Sequence, residues 1–283
     1  MMTEIFSGLE TARDMHAATL VRARAAGLTP ACTVLLDARN PGASAYAARQ
    51  QEMAATAGIA LTLVPYEAEP AALYRQLQDL REDPSVDAIM ALYPLPSGAD
   101  SAATAAAIGA QKDVDGLHPA NAGTLVLGRP HRSAATAQAS ALCAAMLYGD
   151  LSGASIAIVG ASPVVGRPLS MLLLDRNATV LIGHAATRDL PALTRQAEIV
   201  ISATGVPGLI TADHIATDAI VIDVGISRRD GGVVGDVDLA SVEGKARVVT
   251  HAPDGVGPIT TACLFANILE AALARRNLPI SMA

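Results

Sequence analysis

With 283 residues, the chain is too long for one ordinary core and fits about two domains of typical size. Its net charge of −7 shows no basic stripe and aromatic residues make up only 2% of it, which argues against the electrostatic and stacking routes to nucleic acid. Apolar residues reach 51%, yet alanine supplies much of that share and no uninterrupted apolar run approaches the ~18 residues of a membrane helix, so no membrane partner is expected either.

Residues 1–6 lack the basic-then-apolar pattern of a secretory signal, and Cys32, Cys143 and Cys263 are widely spaced and odd in number, which fits neither a disulfide framework nor zinc spacing. The expectation is a cytoplasmic protein. Residues 11–26 read as a helix stopped by Gly27, 31–36 as a short apolar run, and 44–57 as a second helix stopped by Gly58. The strand pattern returns at 59–64 and 88–93, with a helix over about 70–81 between them. Such alternation indicates right-handed βαβ units and a parallel sheet. Gly128-Arg129-Pro130 breaks the chain, and the domain boundary is expected within 121–140. Five further strand candidates follow at 156–159, 179–182, 199–202, 219–222 and 247–250, separated as a dinucleotide-binding sheet requires. A last helix occupies about 261–276. The fold class is therefore α/β with two domains, an N-terminal domain over 1–121 and a Rossmann-type domain over 122–260, with a cleft between them.

Four segments carry chemistry. The turn Gly160-Ala161-Ser162-Pro163-Val164-Val165-Gly166 follows a strand candidate and opens a helix, where small residues let the backbone approach a pyrophosphate and unpaired N–H groups face it. Taken alone it is as readily a plain strand-to-helix corner. In Gln111-Lys112-Asp113-Val114-Asp115-Gly116, an ionised acid can accept paired hydrogen bonds from a heterocycle, or cap the turn before Gly116; the first suits Asp115 and the second Asp113. Tyr46 lies one helical turn before Gln50, so the two share a face. Gly255-Val256-Gly257-Pro258-Ile259-Thr260 combines small residues with a proline that fixes entry to the last helix. His184, His214 and His251 have no ligand-like spacing, and no metal is expected.

In this order and with these spacings, the four segments resemble the methylenetetrahydrofolate dehydrogenase/cyclohydrolase (FolD-like) family over nearly the whole chain. The resemblance implies a folate substrate in the N-terminal domain, NAD or NADP in the second domain, a last helix that returns to the first domain, and a homodimer formed through the nucleotide-binding domain. It makes Tyr46, Gln50 and Asp115 the candidate catalytic residues, with Tyr46 stacking on the folate and Asp115 reading the pterin edge. Tyr93, Gly257, Pro258 and Thr260 join Tyr46 and Asp115 as substrate contacts, the last three as a loop closing over the folate. Gly160, Ser162, Val164, Val165, Gly166 and Arg167, with Thr204 and Gly205, are the implied cofactor contacts.

The sequence also departs from the family pattern. Gln50 stands where the family's Tyr-x-x-x-Lys element carries the lysine of the cyclohydrolase step, and an amide cannot titrate near neutral pH. Only two lysines occur, Lys112 and Lys245, so no sequence neighbour of Gln50 replaces it. Tyr93 stands in the segment whose glutamine contacts that lysine, and is expected to fill the vacated space. Ala134-Ala135-Thr136-Ala137 replaces Pro-Cys-Thr-Pro, and Asp254 replaces the first glycine of the Gly-Gly-Val-Gly-Pro run. Ala161 and Ala185 occupy the arginine and serine positions that read the added phosphate of NADP, with Arg167 or Arg188 as alternative contacts, and no acid at the end of 179–182 holds a free ribose. The expectation is hydride transfer from methylenetetrahydrofolate to NAD(P), NAD before NADP, with cyclohydrolase activity weak or lost. The alternatives are transfer of the methylene group to another nucleophile near Tyr93 without redox, or a silent folate-binding protein.

Overall fold

The computed structural model describes residues 2–129, 132–229 and 232–279. The chain divides into two compact units, Arg13–Ser133 with Thr261–Ala283, and Met1–Ala12 with Ala134–Thr260.

The unit containing residues 13–133 is built on a parallel sheet of β2 (Ala31–Leu36), flanked by β3 (Ala60–Pro65) and β4 (Ala88–Ala91). Its helices are most of α1 (Leu9–Ala25), then α2 (Pro41–Thr56), α3 (Pro70–Glu82), α4 (Ser101–Ile108) and α5 (Pro119–Val126). Helix α2 begins three residues before the expected start. The Asn40 side chain accepts from the amides of Gly42 (2.9 Å) and Ala43 (3.1 Å), so Pro41 and Gly42, breakers elsewhere, fit a capped first turn. Gly27 and Gly58 follow α1 and α2 at φ +64° and +74°, the left-handed conformation that suits a helix stop. Leu35 and Ile89 of the sheet pack with Leu73 and Leu77 of α3 and Ile108 of α4. The end of α10 (Val256–Arg275) belongs here and packs Leu269 and Leu273 against Ala23. Buried Asp87 clamps that end: it accepts from the Ala31 amide (3.0 Å), from Arg276 (2.6 Å) and from Arg275 (3.1 Å).

The other unit holds a six-stranded sheet in the order β1 (Glu4–Phe6), β11 (Val248–Thr250), β8 (Ile220–Asp223), β7 (Ile199–Ser202), β5 (Ser155–Val159) and β6 (Thr179–Gly183), with every neighbouring pair parallel. Its helices are α6 (Ala135–Tyr148), α7 (Gly166–Leu174), α8 (Leu190–Thr194), α9 (Leu239–Val242) and the start of α10, and β9 (Ile226–Arg229) pairs antiparallel with β10 (Gly232–Gly235) as a separate ribbon. All four residues of β7 and of β8 are buried, which is why these strands read as continuous apolar runs rather than alternating ones.

Three expectations are corrected. Residues 4–6, placed by sequence in the first domain, form β1 in the sheet of the second unit; three residues are too few to carry a period. The division falls after Ser133, inside the expected 121–140 range but beyond residue 121, where the first domain was drawn to end, because α5 stays with the first sheet; Pro130, part of the boundary signal, lies outside the described residues. The last helix starts at Val256, so Gly257, Pro258 and Thr260 lie in its first turns and not in a loop. Proline in a first turn forfeits no intrahelical bond, since those amides are unpaired anyway. At 20 residues α10 is long and apolar enough to cross a membrane by length and composition, but it is mostly buried within the protein, as a core helix is.

Candidate functional site

In the unit of residues 13–133, α2 places Tyr46 and Gln50 on one face. Gln50 is 3% exposed; its amide nitrogen donates to the Tyr46 hydroxyl (2.7 Å) and to Thr261 Oγ1 (3.2 Å), and its carbonyl oxygen is buried with no partner. An amide has a donor end and an acceptor end, so one of them remains for a ligand whichever faces the hydroxyls. Asp115 sits in the turn before Gly116. That glycine has φ +65°, and a Cβ on it would lie 2.7 Å from Ser133 Cα, so the turn admits only glycine. Asn267 of α10 donates to the carbonyls of Val114 (2.8 Å) and Ser133 (3.0 Å) and fixes the turn from behind. Asp113 is buried and accepts from the His118 amide (2.7 Å) and from Asn121 (2.8 Å), so it anchors the start of α5 rather than the turn before Gly116.

Asp115 is half-buried and takes no hydrogen bond from another described residue. Burial first, and then the charge of Asp113, push its carboxyl up to about 7. Burial, then the Asp115 charge, raises the Tyr46 hydroxyl, with Gln50 pulling the other way. Burial also raises Tyr66, with Tyr93 and Asp115 adding to it. Asp115 thus acts electrostatically on both Tyr46 and Tyr66, and Tyr93 acts on Tyr66.

Tyr93 is not a hydrogen-bond partner of Gln50. Its hydroxyl pairs with Ser101, while the partners of Gln50 are Tyr46 and Thr261. Tyr66 and Thr261 are the contacts that sequence reasoning missed. A cavity of about 300 Å³ opens at the ends of β2 and β3, lined by Asp37, Arg39, Pro65, Tyr66 and Pro96 among others; Tyr93 does not line it.

In the other unit, β5 connects to β6 on one side and the chain then crosses to β7 on the other, so the topological switch lies at the carboxyl ends of β5 and β7. The predicted glycine turn is there. Gly160 has φ +114°, and a Cβ on it would lie 2.5 Å from Ala203 O; a Cβ on Gly166 would meet Gly160 O at 1.8 Å. Both positions require glycine. Between them, Ser162 Oγ accepts from the Val165 amide (3.1 Å) and Ser162 O from the Arg167 amide (3.0 Å), while Arg167 Nε donates to Ala161 O (3.1 Å). Arg167 therefore folds onto its own turn. Across the switch, Thr204 lies within 3.6 Å of the Cβ position of Gly160. Next to it, exposed Gly205 has an N–H with no acceptor among the described residues.

This crevice fits a dinucleotide: a cradle closed to side chains, the N-terminus of α7 and an unspent amide converge at the switch point. Beyond β6, Ala185 and Arg188 are exposed, and the loop is closed by local bonds from the His184 amide to Thr187 (2.9 Å) and from the Ala186 amide to His184 (3.2 Å). Gly257, Pro258 and Thr260 lie on the first turns of α10, where Thr260 donates to Val256 O (3.2 Å). Among the described residues, no group of three or more His, Cys, Asp or Glu is placed to hold a metal ion.

A parallel sheet with a glycine cradle at its switch point, joined to a second α/β unit with a half-buried acid, defines a two-domain α/β enzyme of the dinucleotide-binding class. Family models narrow this. Residues 134–276 match the tetrahydrofolate dehydrogenase/cyclohydrolase NAD(P)-binding domain, and residues 7–115 match the catalytic domain of the same family. The chain belongs to the tetrahydrofolate dehydrogenase/cyclohydrolase family. It is 42% identical over 283 residues to the bifunctional protein FolD of Nocardia farcinica, covering 98% of this chain and 100% of that one. Among solved structures it is similar to the bifunctional 5,10-methylenetetrahydrofolate dehydrogenase/cyclohydrolase of Thermoplasma acidophilum, at 35% identity and TM-score 0.90 over 97% of this chain and 100% of that one. It is also similar to the Trypanosoma brucei enzyme complexed with NADP cofactor and inhibitor, at 27% identity and TM-score 0.89 over 98% and 99%.

Proposed function

We propose that this protein oxidises methylenetetrahydrofolate with NAD(P) and has lost the hydrolytic step that its bifunctional relatives are named for. The observation that carries the reading is the buried amide of Gln50, bonded to Tyr46 and Thr261, at the position of the family's lysine. Neither lysine of the chain offers a substitute. Lys112 donates to the carbonyls of Leu80 (2.8 Å) and Asp83 (2.6 Å), and Lys245 donates to Ala212 O (2.7 Å).

Hydride transfer needs no protein nucleophile or titrating amine; it needs two rings held in register with water excluded. Held at the glycine cradle by its pyrophosphate, a bound dinucleotide would supply the hydride acceptor. The chain's own contribution is orientation. Tyr46 offers a ring face to the folate, Asp115 accepts from the pterin edge, and the amide of Gln50 keeps the Tyr46 hydroxyl in place. Gly257, Pro258 and Thr260 are the further substrate contacts that the family resemblance implies, and Gly160 to Arg167 with Thr204 and Gly205 hold the dinucleotide. NAD is the favoured cofactor, because Ala161 and Ala185 bring no charge to an added phosphate and Arg167 is turned onto Ala161 O. The protein acts as a homodimer in the cytoplasm.

A spectrophotometric assay with methylenetetrahydrofolate and each dinucleotide tests this. Reduced cofactor should appear, at least as readily from NAD as from NADP, and methenyltetrahydrofolate should accumulate. Folate consumption without reduction would instead support methylene transfer, and binding without turnover a silent homologue.

A further inference from the structure

We infer that Asp236 is a positioning residue of the dinucleotide site: its carboxylate holds the Thr204 turn so that the Gly205 N–H stays available to donate to an oxygen of the bound dinucleotide. The inference deepens the cofactor reading above and rests on it.

Asp236 is 1% exposed and one of its oxygens takes three hydrogen bonds from the end of β7 and the turn beyond: from Ser202 Oγ (2.8 Å), the Thr204 amide (2.7 Å) and Thr204 Oγ1 (2.9 Å). Thr204 Oγ1 in turn accepts from the Val206 amide (3.1 Å), and Ser227 donates to the Gly205 carbonyl (2.8 Å). The amides on both sides of Gly205 and its own carbonyl are thus committed within the protein. Its N–H is not.

The carboxylate is itself held from behind. The Asp236 amide donates to Asp223 Oδ1 (2.8 Å), and glycines make room for both acids: a Cβ on Gly225 would lie 2.1 Å from Asp236 Oδ1, and one on Gly235 would lie 1.8 Å from Asp223 Oδ2. The second oxygen of Asp236 is buried without a partner. A buried carboxyl group with an unsatisfied oxygen is costly to a fold, so this arrangement is poorly accounted for by stability alone. It is accounted for by a turn whose geometry must be fixed at the mouth of the switch point.

The test is dinucleotide affinity read by NADH fluorescence, together with melting temperature and steady-state kinetics, for wild type, Asp236→Ala, Asp236→Asn and Thr204→Val. Asp236→Ala should weaken NADH binding about tenfold or more, with kcat at saturating dinucleotide and KM for the folate within about twofold, and Thr204→Val should weaken NADH binding about threefold to tenfold. Asp236→Asn, which keeps an acceptor in the same place, should bind within about threefold of wild type. If Asp236→Ala does not fold, Thr204→Val and Asp236→Asn decide. Unchanged affinity in Asp236→Ala or, failing that, in Thr204→Val overturns the inference while leaving the cofactor reading intact, and a lower melting temperature with unchanged affinity does the same. Wild-type protein that binds neither NADH nor NADPH removes the reading and the inference together.

Discussion

At position 50 an amide stands where the family pattern carries the lysine of the cyclohydrolase step. Water attack on a methenyl cation produces an adduct that must lose a proton, and a positioned base contributes about a hundredfold to ten-thousandfold to such a step. Hydrolysis of methenyltetrahydrofolate by the unmodified protein is therefore expected near the uncatalysed rate. The structure also revises which partners a restored amine needs: the Tyr46 and Thr261 hydroxyls already face position 50, and Tyr93 is engaged with Ser101. Gln50→Lys alone should thus raise hydrolysis at least about tenfold, with Tyr93→Gln adding nothing further. Strong hydrolysis before any substitution would sink the proposal. Asp115 gives a second prediction. Only its ionised form accepts at both oxygens without presenting an O–H to the paired donors, and burial holds its carboxyl at about 7, so folate should bind about tenfold more weakly at pH 6 than at pH 8, a dependence absent in Asp115→Asn. The effect on stability has the opposite sign. The folded-state value lies above the ordinary 3.8, so the contribution of Asp115 is fully present below that value and is lost as pH rises through about 7. Asp223, raised to about 6 chiefly by burial, adds to the same decline. Thermal scans of the ligand-free protein should show a loss between pH 4 and 7 that Asp115→Asn reduces.

At the scale of elements, the Asp87 clamp is the clearest single determinant of how α10 is fixed to its sheet. Asp87→Ala removes the acceptor of two arginines and of the first amide of β2. Breaking a buried pair from one side costs about 3–5 kcal/mol, and the lower end, about 3 kcal/mol, applies because the Arg276 side chain is 39% exposed. A urea unfolding midpoint unchanged from wild type would remove the clamp from the account. The same scale shows what a sequence discloses. Strands buried on both faces, such as β5, β7 and β8, advertise themselves by short runs rich in Val and Ile, and β2, β3 and β4 by short apolar runs. Helix α4, Ser-Ala-Ala-Thr-Ala-Ala-Ala-Ile, has no apolar period to detect, and β1 is too short to have one. The glycine cradle and the Tyr46–Gln50 face were readable because their geometry is local. The contact of Gln50 with Thr261 spans 211 residues and has no local signature. Asn267 did leave a trace, as a lone amide within the apolar stretch Leu264-Phe265-Ala266-Asn267-Ile268-Leu269.

At the scale of the whole molecule the expectation is association. The nucleotide-binding unit leaves Leu174, Val206, Ile226 and Val233 exposed, and two of these lie on the β9–β10 ribbon. A lone two-stranded ribbon is marginal in water and gains from a cover. A stable interface removes roughly 800 Å² from each partner, with its core more apolar than the surrounding surface. Scattered exposed apolar residues are ordinary on a monomer, so the argument lies in the two that sit on a ribbon of the unit through which the sequence resemblance implies pairing. A two-fold dimer would meet the requirement with one self-complementary patch and no second kind of surface. Light scattering at micromolar concentration should therefore give twice the 28.8 kDa chain mass. Ile226→Glu with Val233→Glu should shift that mass toward the monomer, because burying two unpaired carboxylates opposes association, while folate binding by the other unit is retained. A monomer mass for the unmodified chain would overturn the dimer, and a dimer unaffected by both substitutions would move the interface off the ribbon.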